Sequence, residues 1–123
     1  MRVFALTLGI LLLGSTTTFG QTAKPGQSFA WDTADTPARA QSHRWELELD
    51  GVVAPTPLRA TCVPGTGSDA SCSALIPAVT PAQHSVRLRA VDAADSTLVS
   101  DWSAPLTFTM RAVPATPTGL TIR

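Results

Sequence analysis

The feature that most constrains the fold of this chain is an alternation of apolar and polar residues with a period of two. It is clearest from Gln83 to Asp92, where His84, Val86, Leu88 and Ala90 share one face. Arg87 and Arg89 occupy the opposite phase. Segments 42–51 and 105–111 alternate in the same way. Because successive side chains of a strand point to opposite faces, the pattern predicts three half-buried β-strands.

Glycine and proline separate these strands. Asp50-Gly51 is a turn signal, and the Val52-Val53 segment after it, followed by two nearby prolines, suits an edge strand or a bulged loop. Segment 73–76 reads as a short strand that Pro77 ends. No segment after residue 20 that is longer than a turn shows helical periodicity. Short strands at close intervals predict an all-β antiparallel sandwich in which two apolar faces meet. The expected core residues are Trp31, Trp45, Val86, Leu88, Leu106 and Phe108.

The first twenty residues have the layout of a cleavable secretory signal. Arg2 precedes an apolar run from Val3 to Leu13, and a small polar stretch follows. The run is shorter than the roughly 20 residues that a permanent membrane helix needs. We expect cleavage before Gln21, with Ala23 as an alternative end point. The predicted division is a signal peptide over 1–20, one sandwich domain over 21–112 and a Pro/Thr-rich tail or linker over 113–123, in a secreted or periplasmic protein without a stable membrane span.

The two cysteines, Cys62 and Cys72, both lie in the predicted exported part. Exported proteins meet oxidising conditions, in which paired cysteines form and keep a disulfide. A zinc site wants four ligands, and His43 and His84 are the nearest further candidates, so we expect the disulfide rather than the metal. It would tie the base of a loop formed by the Pro-, Gly- and Ser-rich stretch 64–71.

Several motifs together resemble a fibronectin type III module. Segment 79–92, Val-Thr-Pro-Ala-Gln-His-Ser-Val-Arg-Leu-Arg-Ala-Val-Asp, is similar to the run that crosses one corner of that fold, and 100–106, Ser-Asp-Trp-Ser-Ala-Pro-Leu, is similar to the approach to its last strand. Phe29-Ala30-Trp31-Asp32 resembles its second strand, and Trp45 stands where the third commonly has Tyr. The resemblance spans about 27–111 and implies an immunoglobulin-like antiparallel sandwich of fibronectin type III kind.

The sequence departs from the family pattern in two places. His84 stands near the family's corner Tyr after a turn that is one residue short, so the Tyr hydrogen bond does not carry over; closure of the corner by His84 stays open. Segment 114–123 resembles the Pro-rich linker and first strand of a following module. That tail is either loose, or Leu120 and Ile122 pair with an exposed edge of this or a neighbouring chain.

The residue types that could serve in catalysis or metal binding are better explained by roles in folding. His43 and His84 lie on the apolar phase of their strands, which favours satisfied, partly buried imidazoles. Asp92 and Asp95 flank a loop but do not match a calcium-loop spacing, and Asp is common in turns. A triad of Ser100, His84 and Asp92 can be written on paper, but no nucleophile motif supports it. We therefore expect neither an enzyme nor a cofactor.

The charges balance, with nine basic and nine acidic residues, which disfavours nucleic-acid binding. Arg44 and Glu46, like Arg87 and Arg89, are expected on a solvated outer face. For Trp102 two interpretations stay open: part of an aromatic platform for carbohydrate, or cation–π stacking on an arginine such as Arg87 or Arg89.

The sequence thus predicts an exported, non-enzymatic sandwich module that acts as a binding or structural spacer domain, with a protein of the envelope or the extracellular space as its partner. The alternative is an accessory, non-catalytic module of a secreted or periplasmic hydrolase. Self-association through a strand edge and the tail is a further expectation.

Overall fold

The computed structural model describes residues 20–66 and 69–123; except for Gly20, the expected signal peptide lies outside these ranges. The described chain is mostly strand, as the period-two segments predict. The elements are β1 (Gln21–Ala23), β2 (Ser28–Thr33), α1 (Pro37–Ser42), β3 (Arg44–Leu49), β4 (Val52–Val53), β5 (Thr61–Pro64), β6 (Ala70–Leu75), β7 (Gln83–Val91) and β8 (Leu106–Met110).

The strands form two sheets, which confirms the all-β sandwich. One has five strands in the order β1-β8-β7-β3-β4, and the other has three in the order β2-β6-β5. All neighbouring strands are antiparallel except β1 and β8, which run parallel from the pair Gln21–Phe108 to the pair Ala23–Met110. The Asp50-Gly51 signal is confirmed as the two-residue turn between β3 and β4, with positive φ of 50° and 83° at its two positions. The segment after it is confirmed as an edge strand, β4.

The apolar faces of the two sheets meet in the core. Phe29 of β2 packs edge-to-face on Phe108 of β8, with ring centroids 5.7 Å apart, and Trp31 packs in the same way on Trp45 at 5.1 Å. Of the expected core residues, Trp45, Val86 and Phe108 are buried, whereas Trp31, Leu88 and Leu106 are partly buried against the core.

The disulfide between Cys62 and Cys72 is present, and it joins residues that face each other on β5 and β6. Strand β6 begins at Ala70, three residues before the predicted start, because it pairs with β2 on one side and β5 on the other. The disulfide therefore links two paired strands, and the connection between them, residues 65–69, is shorter than the predicted loop 64–71.

Helix α1 was not predicted. Its six residues are too few to show a helical period, but Thr36-Pro37 is a helix-start signal. The Thr36 Oγ1 accepts a hydrogen bond from the Arg39 N–H at 3.3 Å. The helix places Ala40 in the core, where its carbonyl oxygen accepts a hydrogen bond from Trp45 Nε1 at 3.1 Å. Within the described ranges, no helix has the length and apolar character needed to cross a membrane.

Candidate functional site: the free edge of β2

Strand β2 has hydrogen-bond partners along one side only. Its six residues pair with β6 without interruption, and no strand of the described chain lies on its other side. The Ile76 N–H donates to the Gln27 carbonyl oxygen at 2.9 Å. Because hydrogen-bonded positions alternate along an antiparallel pair, the backbone groups of Ser28, Ala30 and Asp32 point away from β6. These N–H and C=O groups form the free edge of β2.

The edge is free because the strand before it belongs to the other sheet. The chain leaves β1 after Ala23 and turns at Lys24, whose carbonyl oxygen accepts from the Gln27 N–H at 3.3 Å. Gly26 has a φ of +88°, a left-handed conformation that suits glycine. The turn delivers β2 to the three-stranded sheet while β1 stays beside β8. The place next to β2 is therefore left without a strand.

The other edge of the three-stranded sheet is covered. The Gln41 side chain of α1 donates from Nε2 to the Ala60 carbonyl oxygen at 2.7 Å, and its Oε1 accepts from the Cys62 N–H at 2.7 Å. One side-chain amide thus satisfies the edge of β5 as a peptide group of a neighbouring strand would. The edge strands of the larger sheet, β1 and β4, have three and two residues. Edges are usually protected in such ways, and β2 has neither a proline nor a lysine.

An apolar groove of about 600 Å³ opens between the sheets beside the free edge. Strand β8 pairs with β7 only as far as Val86. Beyond that point an irregular segment lies beside β7, where the Ser103 N–H donates to the Leu88 carbonyl oxygen at 2.7 Å. Trp31 Nε1 is buried without a hydrogen-bond partner. Buried polar atoms of this kind are uncommon. The apolar lining of the groove includes Phe29, Trp31, Ile76, Leu88 and Leu106.

The outer face of the five-stranded sheet carries the cation–π stack that was one of the two interpretations of Trp102. The guanidinium carbons of Arg87 and Arg89 lie 5.3 and 4.4 Å from the centroid of the Trp102 ring. Arg87 pairs with Glu48 and Arg89 with Glu46, each with a nitrogen 2.7 Å from a carboxylate oxygen. Because each of these arginines is paired with a glutamate of the same chain, this face is better explained as a solvated surface than as a recognition patch.

His84 closes the corner that precedes β7. Its Nε2 lies 2.7 Å from the Thr80 carbonyl oxygen, and its Nδ1 lies 2.7 Å from Asp50 Oδ2. Asp50 raises the pKa of His84 through this hydrogen bond, and His84 in turn lowers the pKa of Asp50. Both ring nitrogens face acceptors, so both act as donors in the protonated form. No lone pair is then free to bind a metal or to take a proton from a substrate.

The structure does not assemble the triad of Ser100, His84 and Asp92. His84 lies at the start of β7, whereas Ser100 bonds to Ala90 near its end: the Ser100 Oγ accepts from the Ala90 N–H and donates to the Asp101 carbonyl oxygen, both at 2.9 Å. The hydroxyl is therefore engaged in holding a loop. Asp92 is likewise engaged, since its Oδ1 accepts from two N–H groups in the turn that follows it.

The other histidine belongs to a pair that the sequence did not reveal. His43 Nε2 lies 2.7 Å from Asp35 Oδ2, and His43 Nδ1 is buried without a hydrogen-bond partner. Both residues line a cavity of about 270 Å³ near Ser100. Asp95, whose loop does not match a calcium-binding spacing, accepts through Oδ1 from the backbone N–H and the hydroxyl of Thr97. Over 20–66 and 69–123, no group of three or more His, Cys, Asp or Glu residues is placed to hold a metal ion.

These features define a two-sheet all-β sandwich with one disulfide, and its most distinctive surface is an open strand edge beside an apolar groove. No family model matches the sequence, and no curated protein or solved structure compared with it is similar enough to count as a match.

Proposed function

We propose that this chain is an exported, non-enzymatic sandwich module of fibronectin type III kind, which binds an extended segment of a protein partner along the free edge of β2. The observation that carries the proposal is the combination of unpaired backbone groups and an adjacent apolar groove. Binding by strand addition needs both features.

The backbone would supply affinity and the groove selectivity. A segment that pairs with the N–H and C=O groups of Ser28, Ala30 and Asp32 extends the three-stranded sheet to four strands. Alternate side chains of that segment face inward, toward Phe29 and Trp31. Apolar side chains there would fill the groove.

Export and family are supported by different observations. A disulfide between Cys62 and Cys72 is compatible with an oxidising compartment. The order of motifs along 27–111, together with closure of the corner by His84 and the stacking of Trp102, supports the fibronectin type III assignment.

A selection from a displayed library of random hexapeptides tests the binding function. The expected result is enrichment of peptides that alternate apolar and polar residues. Their binding should be lost with Ala30→Pro, which removes an outward N–H, and kept with Ala30→Val, which adds bulk but retains it. Ala30 is exposed and lies on the free edge, so its N–H makes no bond to β6. Failure to enrich alternating peptides, or equal binding by the two variants, would refute strand addition.

A second candidate, an accessory or spacer module of a secreted hydrolase, is favoured by the tail. Residues 111–123 are all exposed and form no strand, as expected of a linker. A spacer has no need of a selective edge, so the same selection separates the two functions.

A further inference from the structure

We propose that the segment which occupies the free edge of β2 is residues 120–123 of a second copy of this chain. The inference rests on the proposed function and names its partner. It starts from two features of the described chain: the edge of β2 has no neighbouring strand, and the segment that carries Leu120 and Ile122 pairs with no strand.

The segment has the alternation that the groove requires. Leu120 and Ile122 are 96% and 102% exposed, the highest values among the large apolar side chains of the described residues. They are two positions apart, so they lie on one face of an extended segment, as Phe29 and Trp31 do on β2. Thr121 lies between them on the opposite face. A strand formed by this segment would present two apolar side chains to the groove and one hydroxyl to solvent.

The charges of the two elements are compatible. Asp32 is the one charged residue of β2, and Arg123 is the one charged residue of 112–123. No acidic side chain of the segment opposes Asp32, so charge does not hinder pairing.

A second copy fits the edge better than the chain's own tail. The tail leaves β8 at Met110, which is opposite Ala23, and β2 starts only five residues later. The chain's own tail would therefore run along β2 from its beginning and pair in parallel. Pro114 and Pro117 favour an extended connection that holds the segment away from its own fold. A second copy is free to approach in the antiparallel sense, which gives the more stable pairing.

Multi-angle light scattering of the full chain, purified from the exported fraction, tests the partner over a range of concentrations. We expect association that rises with concentration. Burial of one isoleucine side chain corresponds to about tenfold or more in affinity. Ile122→Asp should therefore weaken association by about tenfold or more. Thr121→Asp places the same charge on the opposite face and should have a much smaller effect. Both positions are exposed in a segment without secondary structure, so neither variant threatens the fold.

Binding of a synthetic peptide of residues 113–123 gives an independent readout. It should change the fluorescence of Trp31, and Trp31→Phe should abolish that change without removing the other two tryptophans. Ala30→Pro should weaken peptide binding, whereas Ala30→Val should not.

The outcomes separate the two proposals. If alternating library peptides bind but the 113–123 peptide does not and the chain stays monomeric, the inference is overturned and the proposed function stands. If neither kind of peptide binds, both are overturned. If the chain is monomeric and the amides of 120–122 are protected from hydrogen exchange unless Ile122→Asp is present, the chain's own tail occupies the edge and the second-copy partner is wrong. Equal effects of Ile122→Asp and Thr121→Asp on association also overturn it.

Discussion

Reduction of the disulfide is expected to lower the free energy of unfolding by a calculable amount. The bridge joins residues ten positions apart. Restriction of a loop of that length in the unfolded chain is worth about 9 cal/mol/K, or about 2.7 kcal/mol at 25 °C. Cys72 is 1% exposed, and a thiol there behaves as a small apolar side chain, so reduction buries no new polar group. The melting temperature of a domain of this size should then fall by about 10–20 °C.

The reduced protein should nevertheless stay folded at room temperature. Strand β6 remains paired on both sides, and the Gln41 side chain still holds the edge of β5. The assay is thermal unfolding of the full chain, followed by circular dichroism, with and without reductant. A Cys62→Ala/Cys72→Ala variant serves as the control, since its unfolding must not respond to reductant. A fall of less than about 3 °C, or loss of structure at 25 °C, would refute the reasoning.

Two further predictions follow from the fold. The first concerns pH. The pKa of His84 is raised, so the stability that His84 contributes is complete below about pH 6.5 and is lost as the pH rises through its folded pKa. The pKa of Asp50 is lowered, so the stability that Asp50 contributes is lost as the pH falls below about 4. Stability measured by urea unfolding should therefore be greatest between these limits, and His84→Gln should flatten the alkaline side; an unchanged alkaline side would contradict the assignment. The second concerns Gln41→Ala, which removes both bonds to the edge of β5 and should lower the free energy of unfolding by about 1–3 kcal/mol. Hydrogen exchange should show the Cys62 amide exchanging faster in this variant, and no change there would show that the Gln41 bonds do not protect the edge.

Local pattern was sufficient for the strands with strong alternation. Segments 42–51, 83–92 and 105–111 each became a strand, because one face of each is buried and period two follows directly from that geometry. Asp50-Gly51 likewise specified its turn, since both positions need a positive φ. Alternation also places Arg87 and Arg89 together on one face, which made the stacking of Trp102 one of its two interpretations.

Features that depend on distant residues were not predictable in this way. The Asp50–His84 pair joins positions 34 apart, and the Gln41 side chain reaches backbone groups 19 and 21 positions away. The edge of β2 is free because β1 pairs with β8 in the other sheet. Nothing in the three residues of β1 indicates which sheet they join. A site made by the absence of a strand leaves no motif in the sequence.

The parallel pairing of β1 and β8 also sets how the module bears a mechanical load. The chain enters at Gln21 and leaves after Met110, at opposite ends of these two neighbouring strands. A force applied between the two ends of the module pulls β1 backward and β8 forward along their common axis, so it loads the pair in shear. All the hydrogen bonds between the strands then stretch together, whereas strands peeled from one end break their bonds in succession. This short pair therefore resists separation of the two ends of the module.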